Sequence, residues 1–162
     1  MKLSDGQITL LHEPLPSWAV KPHPSKKGMS TIHPMAIVDR LNDVFGIGIW
    51  NTRVEKLSSY EWMQQTQKGE RKVFTSTSKV ILDIEDYEIH LEQFGGSTND
   101  DEGDALKGSA TDGLTKIASY LGIGASIYKG QGNVAPGGTQ PLSDTPDEAF
   151  TGEGSEFNRF AR

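Results

Sequence analysis

The sequence has no cysteine, which excludes a disulfide framework, a thiol nucleophile and a cysteine-ligated zinc. It also has no apolar run near the ~18 residues that a membrane-spanning helix requires. The opening MKLSDGQITLLHEP sets an aspartate beside its lysine, and its apolar stretch is too short for a signal peptide. A soluble, cytoplasmic protein with no membrane partner is therefore expected. Apolar residues are scarce as well, at 35% of 162 positions, and the shortfall sits mostly in the last thirty-odd residues. One folded domain of about 125 residues plus tails follows. Basic charge is short too: the formal net charge is −6, whereas nucleic-acid binding usually leaves a basic footprint. The deficit is local. Residues from 131 onward contribute −3, and Asp100, Asp101, Glu102 and Asp104 contribute −4, which leaves the remainder at +1. A basic path within that remainder stays open.

What is present divides the chain into three parts. Residues 1–30 read as an extended, proline-rich lead-in, because each proline removes a donor and restricts its predecessor. Residues 31–129 form the core, and residues 130–162, rich in Gly, Pro, Ser, Thr and acid, read as a disordered acidic tail. Within the core, Pro34 opens a helix to about Phe45, with Met35, Val38, Leu41 and Phe45 at helical spacing and Gly46 as its stop. Three strands follow, at about 47–63, 73–83 and 87–94, with a turn through Gln67, Lys68, Gly69 and Glu70 and another near Asp86. Residues 95–102 read as an exposed, acidic, glycine-rich loop. A long helix from Gly103 or Asp104 to about Tyr120 carries Leu106, Ala110, Leu114, Ile117 and Leu121 on one stripe. The fold class is α+β: a helix, a three-stranded antiparallel sheet and a long packed helix.

Catalytic patterns are weak. His12, His23, His33 and His90 fall into no pair with metal-ligand spacing. Gly122, Gly124, Gly130 and Gly132 flank Lys129 without the order of a phosphate loop. Asp83, Glu85 and Asp86 make a poor metal cluster and a good solvated strand end. No cofactor and no enzymatic activity are expected. The long helix is odd in one respect: Gly108 and Gly113 interrupt it, each costing about 1 kcal/mol relative to alanine. Together with Ser109 and Ala110 they imply close approach of another backbone, which the sheet, a neighbouring subunit or a ligand would supply.

That helix carries a resemblance. Ala105, Lys107, the run Ala110-Thr111-Asp112-Gly113-Leu114, Lys116 and Leu121-Gly122 are similar to the signature helix of the Rad fifty-two family of single-strand annealing proteins. Ile32-His33, Val38, Leu41-Asn42, Val44-Phe45-Gly46 and Trp50 resemble that family's helix-glycine-tryptophan entry into its sheet. The resemblance covers roughly residues 15–129. It implies a phage or bacterial annealing protein that assembles into rings or filaments, binds single-stranded DNA along a basic groove, and pairs complementary strands in recombination or repair without ATP.

The resemblance also names candidate contacts. Lys116 leads them, with Thr115 standing where relatives carry a second basic residue, Lys107 matching a family lysine, and Lys21 near the place where relatives carry an arginine in their lead-in. Lys107 and Lys116 lie nine residues apart, about 180° around a regular helix, so they do not line one groove. Lys107 fits an ion pair or subunit contact better. Arg53, Lys56, Arg71, Lys72 and Lys79 on the strands are further DNA-binding candidates, each weighed against an ordinary solvated strand face. The acidic tail, with Phe150, Phe157 and Phe160, is a candidate docking segment for a single-strand-binding protein or exonuclease. Two other readings stay open. A double-stranded-RNA-binding module shares the α-β-β-β-α order, although Asp104 to Lys107 lacks its lysine cluster. A self-assembling protein without DNA binding fits the acidic charge.

Overall fold

A computed structural model describes residues 1–23 and 28–130. The expected tail therefore lies, apart from Gly130, outside the described residues. The chain runs α1 (Asp5–His12), β1 (Val20–Pro22), β2 (Ser30–Ile32), α2 (Pro34–Phe45), β3 (Asn51–Thr66), β4 (Gly69–Ile84), β5 (Ile89–Asn99), α3 (Glu102–Tyr120) and α4 (Ala125–Tyr128). None of these helices is long and apolar enough to cross a membrane.

The first difference from the sequence reading is α1, which lies in a segment read as extended. Ser4 caps it: its side chain accepts from the Gln7 N–H while Gln7 reaches back to the Ser4 N–H. This reciprocal box satisfies two donors that the first turn otherwise leaves open. The prolines act later, where the chain becomes a short turn at Ser17–Ala19 and the two-stranded ribbon β1–β2.

α2 begins at Pro34, capped by His33 Nδ1, and ends at Gly46, whose φ of 98° suits glycine. Its buried face is Ala36, Ile37, Arg40, Leu41, Val44 and Phe45. Met35, expected on that stripe, is exposed. Trp50 Nε1 donates to Asn42 Oδ1 at 2.9 Å, tying the end of α2 to the entry of β3.

The sheet has order β3-β4-β5, antiparallel throughout, with β4 central. In β4, Ser76, Ser78, Val80, Leu82 and Ile84 are buried on the side that α3 covers, and the core cluster joins Val80, Leu82 and Ile84 to Leu41, Ile117 and Ile123. The opposite face carries Thr75, Thr77, Lys79, Ile81 and Asp83. β5 runs through Gly95 and Gly96 to Asn99, so the expected exposed loop at 95–102 is mostly strand. Glycine and acid there signalled a loop; tight packing under α3 is what the glycines serve.

α3 buries Ala105, Ser109, Gly113 and Ile117, a ridge of residues four apart, with Thr115 and Ala118. Leu106, Ala110 and Leu114, expected to be the core stripe, are only half-buried. Small residues form the contact because the backbones meet closely. A Cβ on Gly95 would lie 1.9 Å from the Ser109 carbonyl oxygen, and one on Gly113 would lie 2.5 Å from Val80 Cγ2. The hydroxyls of Ser78 and Ser109 bond each other inside this seam at 2.7 Å. The second backbone anticipated from the helix glycines is the sheet.

Candidate nucleic-acid interface

The candidate cations lie on different surfaces. Lys116 sits on α3 where β5 forms the free edge of the sheet. Its Nζ donates to Asp112 Oδ2 at 2.8 Å and to the Phe94 carbonyl at 3.3 Å. Asp112 Oδ2 in turn accepts the Gly96 N–H at 2.9 Å. Phe94 and Gly96 are two residues apart on an edge strand, so these groups point off the sheet, where no strand follows. Lys107 is far more exposed, at 81%, and pairs with Asp104 at 3.1 Å within its own helix. Of the two roles offered for Lys107, an ion pair or a subunit contact, the protomer shows an ion pair with Asp104.

On the sheet face away from α3, Arg53 pairs with Asp83 at 3.2 Å. Lys79 lies between Glu92 at 2.8 Å and Glu55 at 3.9 Å. Register pairs Lys79 with Phe94, so Lys79 and Lys116 bracket one residue of β5. Arg71 is near the hairpin tip, where its Nε donates to Gln64 Oε1. The α3 side of the hairpin carries Lys56, paired with Glu102 at 3.1 Å, and Lys72, paired with Glu61 at 3.5 Å and 5.4 Å above the Phe74 ring centroid. Lys21 stands on the separate β1–β2 ribbon, and its carbonyl accepts from Thr31. Thr115 is buried, and its hydroxyl donates to the Thr111 carbonyl at 2.8 Å. Within one protomer the nine candidates thus do not converge on one groove. Six of them hold carboxylate partners.

These pairs set the local titration. The hydrogen bond to His90 Nδ1 holds the Asp83 carboxyl below its ordinary 3.8; burial opposes it, and the Arg53 guanidinium adds to the lowering. The Lys79 ammonium bonded to Glu92 likewise holds that carboxyl down, and Lys56 does so for Glu102. A depressed carboxyl stabilises the fold above its ordinary value, and that contribution is lost as pH falls through the lower folded value. NMR titration is expected to place the Asp83 midpoint below 3.8 and to find it raised in His90→Ala. An unmoved midpoint in the variant would dismiss the histidine bond as the main cause.

Sequence reasoning missed two features here. One is Asp112 as an acceptor for a strand-edge N–H, which periodicity along one helix does not reveal. The other is β3 as a nearly wholly exposed strand, with Leu57 52%, Tyr60 56% and Met63 53% exposed. Its signal was available, since apolar and charged residues occupy both faces of the strand in mixture.

No curated protein sequence matches the chain. A family model does match, described as Rad52/22 family double-strand break repair protein, over residues 7–137. The match runs from α1 through the sheet and α3, and it contains the Ala-Thr-Asp-Gly segment that holds Lys116 at the β5 edge. With most of its length matched, the chain belongs to the Rad52/22 family of double-strand break repair proteins.

Proposed function

We propose that this protein binds single-stranded DNA and anneals complementary strands in recombination or repair, as an oligomeric ring, without ATP and without covalent chemistry. The family match across the whole sheet-and-helix unit carries this reading. The exposed β3 supports assembly: it is an outer strand of 16 residues whose apolar side chains face solvent in a lone protomer. Assembly matters for affinity, because a single protomer offers few phosphate contacts and a ring repeats them along one strand. Lys116 is the leading contact. Arg53, Lys56, Arg71, Lys72 and Lys79 follow, then Lys21 on the ribbon and Lys107 on α3, with Thr115 acting through the helix. The acidic tail recruits a single-strand-binding protein or exonuclease in this reading.

The test is annealing of two complementary labelled oligonucleotides, at low and moderate salt, by wild type and Lys116→Ala. ATP-free acceleration is expected, weakened by salt and reduced about fivefold or more by the substitution. No acceleration at any salt would remove the reading. The internal pairing of six candidate cations would then favour a self-assembling protein without DNA binding.

A further inference from the structure

We propose that Asp112 is a positioning residue that competes internally with DNA for Lys116, and so sets how tightly each protomer holds a phosphate. The inference rests on the single-stranded DNA reading above and concerns the strength and reversibility of that binding. Two features of the geometry carry it. Both bonds of Asp112 end on one oxygen, Oδ2, which receives the Lys116 ammonium at 2.8 Å and the Gly96 N–H at 2.9 Å. The second bond anchors the carboxylate to the sheet, so it cannot swing away with a rotamer change as a freely solvated partner would. Lys116 is held from the other side by the Phe94 carbonyl at 3.3 Å. The pair thus fixes where the ammonium stands and cancels its charge there.

Both side chains remain partly open, at 40% for Lys116 and 37% for Asp112. An exposed pair of this kind is weak, so a phosphate can take the ammonium from it. The exchange has an ionic consequence. A phosphate that gains Lys116 gives up a condensed cation, but it must take the ammonium from a carboxylate that then repels it, and salt weakens both of those opposing terms. The salt dependence of this contact is therefore shallower than an unpaired lysine would give. Weak, repeated contacts of this sort suit annealing, in which both strands must leave as duplex.

Asp112→Asn separates the two roles. Its amide oxygen still accepts the Gly96 N–H, while the negative charge is gone. Affinity for a labelled oligothymidylate is expected to rise about threefold to tenfold, and the log–log salt slope to steepen. Asp112→Glu, which keeps the carboxylate, is expected to retain the wild-type slope. Asp39→Asn, on the exposed face of α2, removes the same charge elsewhere and is expected to leave both readouts unchanged. Asp112→Ala provides a second charge-removing variant with the same expected direction, should Asp112→Asn fail to fold. Wild-type affinity and slope in the charge-removing variant would overturn the proposal, as would an equal gain in Asp39→Asn. If wild type and the charge-removing variant both fail to bind at low salt, the DNA reading itself falls.

Discussion

Gly95→Ala is expected to destabilise the fold by about 4 kcal/mol, the range reached when a core seam is overpacked against backbone. The new methyl would stand 1.9 Å from the Ser109 carbonyl oxygen and 2.4 Å from the Gly113 nitrogen. Both are main-chain atoms of α3, so no rotamer change relieves the clash. The helix must lift off the sheet instead, opening the buried Ser78–Ser109 hydroxyl bond and the Ile117 contacts along the same ridge. The adjacent glycine is the internal control. A Cβ on Gly96 meets nothing nearer than Thr77 Cγ2 at 3.9 Å. Gly96→Ala is expected to be neutral or to stabilise by about 0.5 kcal/mol, through reduced freedom of the unfolded chain. Urea denaturation of the two variants checks both. Equal midpoints would mean that α3 does not seat on β5 as closely as described.

Arg40→Ala is the second large effect, expected at about 3 kcal/mol. Arg40 is buried on α2, and its guanidinium donates to the carbonyls of Leu10, Glu13 and Pro14. These are carbonyls at and just after the end of α1, and that of Leu10 also accepts the Glu13 N–H at 3.3 Å. The cation also sits at the negative end of the α1 dipole. Truncation removes the guanidinium donors from all three carbonyls and opens a void beneath the end of α1, and an unmade part-buried bond costs more than a made one contributes. The loss should be local first. Hydrogen exchange is expected to show α1 amides deprotected while β4 amides stay slow. Arg40→Met fills the volume without donors and should lose nearly as much. Full stability in Arg40→Met would show that packing, and not the carbonyl bonds, holds α1 down.

Residues with short-range causes were legible in the sequence. α2 needed only Pro34, a periodic apolar set and Gly46, all within one segment. The β3–β4 turn needed only Gly69, whose φ is 114°. The extent of α3 followed from its acidic first turn and the glycines after Tyr120. Even the separation of Lys107 from Lys116 followed from helical pitch alone, and the two hold different partners in the fold. The Ser4–Gln7 box that starts α1 was equally local, and it was obscured by the prolines that follow it.

What tertiary structure decided were the features whose cause lies on another element. Gly95 and Gly96 read as loop because glycine disfavours strand; they form strand because α3 lies too close for a side chain on Gly95. The buried ridge of α3 runs through Ala105, Ser109 and Gly113 and not through the leucines beside them, since burial there follows closeness of approach more than hydrophobicity. The charge balance behaved the same way. Counting residues gave a core near neutrality, but only the fold determined that Arg53, Lys56, Lys72, Lys79, Lys107 and Lys116 each face a carboxylate. A sequence fixes how many charges a chain carries and the pitch on which they recur. Which of them neutralise each other depends on distances of a few ångströms between segments far apart in the chain, and those distances exist only after packing.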